Sequence, residues 1–232
     1  LGRVRGLLAG APDATVLVLP ELWATGYFSF DRYAAEAAPL AEGPAAEIAP
    51  IAAERCTTIV AGSVVEHAGG RRYNTIPVLG PDGSLLASYR KMHLFGYGSA
   101  ERDLLTPGDR AVVAETPAGR LGIATCFDLR FPEQFAAMRD AGADLIVVPA
   151  AWPAARAEHW RILARARAIE TQTPLAGCNG AGVNEGTALA GASLVCDARG
   201  EVLADGGDGE GWIVATVDSG DTRRWREEFP LS

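Results

Sequence analysis

The chain has 232 residues, 48% hydrophobic and 22% charged, enough to bury one sizeable core, so one domain over 1–232 is expected. Its formal charge is −8, with 21 Lys and Arg against 29 Asp and Glu and no basic run, so the electrostatic footprint of a nucleic-acid or anionic-membrane binder is missing. The longest apolar stretches, 14–20 and 145–153, fall short of the roughly 20 residues needed to cross a bilayer, and four scattered cysteines without a CxxC suggest a reducing, cytoplasmic compartment.

In chain order, LGRVRGLLAG reads as the tail of a helix, with Leu at residue 1 and no signal-peptide pattern behind it. Apolar runs rich in Val, Ile and Leu predict strands at 15–19, 58–65, 73–79 and 84–90, with a helix at 45–55 between the first two. Strands follow at 111–116 and 121–125, a helix at 132–141, a strand at 144–149 and a helix at 158–171. The remaining strands are predicted at 174–179, 188–196, 201–204 and 212–217. The connectors GPDG (80–83), PAGR (117–120) and DARG (197–200) suit hairpins. Hairpins mixed with βαβ-like segments predict a layered α/β sandwich with helices outside two sheets; the alternative is an ordinary doubly wound sheet.

The chemistry-bearing residues narrow the function. Three scattered histidines and no paired cysteines offer no metal scaffold, and neither GxGxxG nor GxxxxGK[ST] occurs, so no cofactor is expected. Cys126 ends an apolar strand at a short turn, and Pro132 then opens a helix. A thiol there sits near a helix amino end, whose partial positive charge favours thiolate; the alternative is a buried inert cysteine. Glu21 follows the continuously apolar TVLVLP, where burial raises a carboxyl pKa toward that of a useful base. Lys91 in SYRKMHLFG likewise closes a strand, although by itself it reads as a solvent-facing lysine, and His93 is a second possible partner for the thiol.

The motifs LPELWATGY, YRKMHLFG, ERDLLTPGD and TCFDLRFPE, in this order, resemble the carbon–nitrogen hydrolase (nitrilase) superfamily over nearly the whole chain. The resemblance implies a four-layer αββα sandwich, here lacking its first strand, and association at least as a homodimer. It implies Glu21 as general base, Lys91 as oxyanion stabiliser, Cys126 as nucleophile, and Glu101 as the second glutamate that positions lysine and substrate. The run C-aromatic-D-x-R-F-P-E resembles ω-amidases and deaminated-glutathione amidases, which favours a small carboxylated amide as substrate. N-carbamoyl amino acid hydrolases and nitrilases remain open on the same residues, as does a non-catalytic interaction module on the same fold.

Arg130, four residues after Cys126, has a fork suited to a substrate carboxylate, or to Asp128 or Glu133 as structural partners. Trp23, Tyr27, Phe127 and Trp152 are candidate pocket walls. Asn179, after another strand end, is a candidate for the same cleft.

Overall fold

The computed structural model describes residues 2–231. Helix α1 (Gly2–Ala9) leads to β1 (Val16–Val18), then to α2 (Tyr33–Glu36), α3 (Pro44–Arg55), β2 (Thr58–Val60), β3 (Val64–Ala68), β4 (Arg71–Leu79), β5 (Leu85–Arg90) and α4 (Glu101–Leu104). The second half holds β6 (Val112–Thr116), β7 (Gly119–Ile123), α5 (Pro132–Asp140), β8 (Leu145–Ala150), α6 (Ala157–Thr171) and β9 (Leu175–Asn179). It closes with β10 (Ala181–Asn184), β11 (Thr187–Ala190), β12 (Leu194–Cys196), β13 (Val202–Asp205) and α7 (Ser219–Glu228).

Two sheets result. One runs β1-β2-β4-β3, with β5 on the other edge of β4; the second runs β13-β12-β9-β8-β7-β6. β1 pairs with β2, and β7, β8 and β9 with one another, in parallel; the hairpins are antiparallel. Strand alternation sorts the side chains into layers. Val16, Val18, Val60, Leu121, Ile123 and Val147 meet between the sheets. Leu17, Leu19, Ile59 and Ala61 turn the other way onto Leu8 of α1 and Ile48 and Ala52 of α3. Ile146, Val148, Leu175 and Leu194 pack under Phe135 and Met138 of α5 and Trp160, Ala164 and Ala168 of α6. Helix, sheet, sheet, helix is therefore the layer order, a direct consequence of runs apolar on both faces.

Three expected strands differ. The 58–65 run breaks at Gly62 (φ +61), where a Cβ would lie 2.1 Å from the Pro20 carbonyl; the close approach demands glycine and splits the run into β2 and β3. The 188–196 run breaks into β11 and β12 at Gly191 and Ala192, both at positive φ. Residues 212–217 form no strand, because an alternating pattern makes a strand only where a ladder partner exists. Trp212 instead packs against the α1 side, its indole N–H 3.3 Å from the Leu7 carbonyl. Helix α7 had no apolar period to announce it. Asp218 caps it by accepting from Gly220 N and Asp221 N, and Arg226 ties it to Gln172 O and Thr173 Oγ1.

Candidate active site

Glu21, Lys91 and Cys126 each sit just beyond a strand, where the ladder stops but the backbone is still pinned. Leu19 N donates to Val60 O, extending the β1 pairing; Glu21 then lies between the sheets, its N–H on Ala150 O at 3.3 Å. Lys91 follows β5 directly, its N–H on Asn74 O at 2.8 Å. Glu101 opens α4. Cys126 begins a 3-10 turn after β7 with φ +48, a left-handed conformation that a non-glycine residue adopts at a cost. A capping box holds it: the Asp128 carboxylate accepts from Thr125 N, and Asp128 N donates back to Thr125.

These segments bring Glu21, Lys91 and Glu101 into direct contact. Lys91 Nζ lies 2.8 Å from Glu21 Oε1 and 2.9 and 3.0 Å from the two oxygens of Glu101. Lys91 and Glu101 are 0% exposed and Glu21 2%. Asn74 Nδ2 donates to both carboxylates at 2.9 Å, Ala151 N to Glu21 Oε2 at 3.0 Å, and Tyr27 OH and Phe95 N to Glu101 Oε2 at 3.1 and 2.7 Å. Burial of two carboxylates is tolerable only with such a donor supply. Cys126, also buried, directs its thiol toward Glu21 and the Ala151 amide.

Burial raises the Glu21 pKa above the ordinary carboxyl value of 4.5, and the like charge of Glu101 adds to it, against the pull of Lys91. Lys91 is pressed the other way: burial opposes its charge, but Glu101 and Glu21 outweigh it and hold the ammonium well above its usual range. Burial, and then Glu21, push the Cys126 thiol well above its ordinary value, with Lys91 only partly offsetting them. The resting sulfur is therefore a thiol. The helix-end effect expected to favour thiolate is overruled, because burial penalises the anion and the neighbouring Glu21 charge adds to that penalty.

Cys126 lies at the floor of a cavity walled by Tyr27, Phe95, Phe127, Trp152, Arg130 and Arg156. Tyr27, Phe127, Trp152 and Arg130 thus stand where pocket walls were expected. Arg130 pairs with neither Asp128 nor Glu133; its guanidinium contacts His159 Nδ1 at 3.1 Å and lies 5.3 Å from the Trp152 ring centroid. Asn179 does not line this cavity. Its amide accepts from Trp152 N at 2.6 Å and donates to Gly191 O at 2.7 Å, so it ties the end of β9 to the segments that follow β8 and β11 instead. Trp23 packs on the α1 and α3 side, its indole on Ala61 O. His93 is spent on Asp128, 2.7 Å away, and stacks on Phe131. Among the described residues, no three His, Cys, Asp or Glu side chains are grouped to hold a metal ion.

Asn74 and Arg156 escaped the sequence reading. Asn74 sits inside an ordinary β4 pattern with no local signal; its Nδ2 bridges the two glutamates while its Oδ1 has no partner among the described residues. Arg156 follows Trp152 in PAAWPAAR, and only the turn after β8 brings it to the cavity.

A two-sheet sandwich with an acid, an ammonium and a thiol buried at its strand ends fits the carbon–nitrogen hydrolases. That family's sequence profile matches residues 3–227, and the chain belongs to the family. Within the nitrilase superfamily its likeness lies with ω-amidase-like members. It is 35% identical to the 2-oxoglutaramate amidase of Paenarthrobacter nicotinovorans over 239 residues, covering 100% of this chain and 81% of that one. It is 37% identical to the 2-oxoglutaramate amidase of Bacillus subtilis over 222 residues, covering 94% and 83%. Among solved structures, a carbon–nitrogen hydrolase superfamily protein of Xanthomonas campestris, with an arsenic adduct in its active site, superposes with a TM-score of 0.91 at 30% identity, covering 99% and 88%.

Proposed function

We propose that the chain is an ω-amidase-like hydrolase that releases ammonia from a small carboxylated amide, such as 2-oxoglutaramate, through a thioester on Cys126. The observation that carries this reading is the buried Glu21–Lys91–Glu101 cluster facing the Cys126 thiol. As the sulfur attacks the amide carbon, Glu21 accepts the thiol proton; its raised pKa makes it a stronger base than a solvated glutamate. Negative charge then develops on the carbonyl oxygen. Lys91 has three N–H groups; Glu21 and the two-oxygen contact of Glu101 occupy two, which leaves one for the oxyanion. Glu101 holds the ammonium from the opposite side. Collapse of the tetrahedral adduct breaks the C–N bond, and Glu21 returns its proton to the departing ammonia. Water then enters, gives a proton to Glu21 and adds to the thioester carbon; the carboxylic acid leaves and the thiol regains its proton. One amide and one water become one acid and one ammonia.

The cavity suits this chemistry, with aromatic walls for a short acyl chain and the Arg130 fork for a carboxylate. The same reading sets the chain in a reducing cytoplasm as a homo-oligomer. All four cysteines are free thiols, no helix among the described residues is long and apolar enough to cross a membrane, and α6 exposes Ile162 and Ile169, which a second subunit could cover. The test is ammonia release from 2-oxoglutaramate, an N-carbamoyl amino acid and a nitrile, with Cys126→Ala in parallel. Release from the amide that vanishes in the variant is expected. No release from folded protein, or equal release by Cys126→Ala, would refute the reading.

A further inference from the structure

Two chambers meet above Cys126, and arginines line their junction. The inner one, which contains the thiol, is the narrower, with free space of about 30 Å³. The outer one is about 390 Å³ and is lined by Phe95, Phe127, Arg102, Arg130 and Arg156 among others. Only Phe95, Phe127, Arg130 and Arg156 line both. An acyl chain with its amide at Cys126 must therefore extend past these side chains.

Arg102, Arg130 and Arg156 have no ion-pair partner among the described residues, in a chain of net charge −8. Three guanidinium groups lining one chamber without a carboxylate leave a positive potential that an anionic ligand would neutralise. Arg156 is also held in place. The Trp152 indole donates to its carbonyl at 2.8 Å, its own N–H donates to Pro153 O at 3.0 Å, and its guanidinium lies 5.6 Å from the Phe95 ring centroid. A half-buried, backbone-anchored arginine stacked on a pocket wall loses little further freedom when it binds.

We propose that Arg156 is a specificity-determining residue: together with Arg130 it holds the carboxylate of the substrate tail where the two chambers meet, and it discriminates carboxylated amides from neutral ones. This rests on the amidase reading above. The test compares kcat and KM of wild type, Arg156→Met and Arg130→Met on 2-oxoglutaramate and on neutral butyramide. Methionine keeps a stem to cover Phe95 while removing the fork. A charge-assisted contact implies that Arg156→Met loses roughly 10- to 100-fold in kcat/KM on the carboxylated amide, mainly through KM, and markedly less on butyramide. Equal losses on both amides would mark a structural role and overturn the proposal, as would a variant that keeps the wild-type preference. The two failures are distinguishable. A wild type that does not prefer the carboxylated amide refutes the substrate reading itself, whereas a wild-type preference that only Arg130→Met abolishes refutes Arg156 alone.

Discussion

Replacing Asp128 with alanine should loosen the turn that presents Cys126, and its cost can be worked from the hydrogen bonds. Asp128 Oδ2 accepts from Thr125 N at 2.9 Å and Tyr89 OH at 2.6 Å, while Oδ1 lies 3.2 Å from His93 N and 2.7 Å from His93 Nδ1. The carboxylate thereby ties the residues on either side of Lys91 to the residue before Cys126. In Asp128→Ala, His93 is exposed enough to find water, but the Thr125 N–H and the Tyr89 O–H are buried and lose their acceptor. Each orphaned buried donor costs about 1–3 kcal/mol, so the loss is about 2–6 kcal/mol. For a chain of this size that lowers Tm by about 5–20 °C. Thermal unfolding followed by circular dichroism measures it, and ammonia release below the transition should show a reduced kcat. Tyr89→Phe removes one of the two orphaned donors, so the double variant should be less destabilised than the sum of the single ones. A Tm drop under about 2 °C, or strict additivity with Tyr89→Phe, would refute this account of the turn.

The pH dependence follows from the same buried cluster. Glu21 accepts a proton only when ionised, and burial raises its pKa above 4.5, so kcat/KM should fall already above that pH as the solution is acidified. Glu101→Gln removes a like charge that contributes to the rise and should move this acidic limb downward while lowering kcat through a misplaced Lys91; a limb that stays put or moves up contradicts the assignment. Gly62→Ala should cost more than about 1 kcal/mol, because its φ is +61 and the new Cβ would meet Pro20 O. The displaced segment is the one that delivers Glu21, so urea midpoint and kcat should fall together, and a variant with unchanged kcat would show that the close approach does not position the acid.

Much of the architecture is legible locally. The runs at 73–79 and 174–179, and the helices at 45–55, 132–141 and 158–171, emerge within a few residues of their expected limits, since long apolar patterns bounded by Gly and Pro leave few alternatives. Helix α7 was not legible because it is almost entirely polar and is fastened by Asp218 and Arg226 rather than by an apolar face. Runs 58–65 and 188–196 read as unbroken strands because their breaks depend on how near another segment passes.

At the site, the residues themselves singled out Glu21, the first acid after a continuously apolar run, and Cys126, at a strand–turn–helix junction, whereas Lys91 and Glu101 stood out only through the motifs that carry the family resemblance. Four ordered motifs were enough to indicate the family. Only the tertiary structure decided that Glu21 and Lys91, 70 residues apart, share a hydrogen bond, that Asn74 bridges both acids, that Arg156 joins Arg130 at the pocket mouth, and that Asn179 is spent on backbone. It also decided the charge state of the nucleophile. A thiol near a helix end can be thiolate or thiol, and the choice rests on burial and on the sum of neighbouring charges, neither of which exists until the two sheets close on one another.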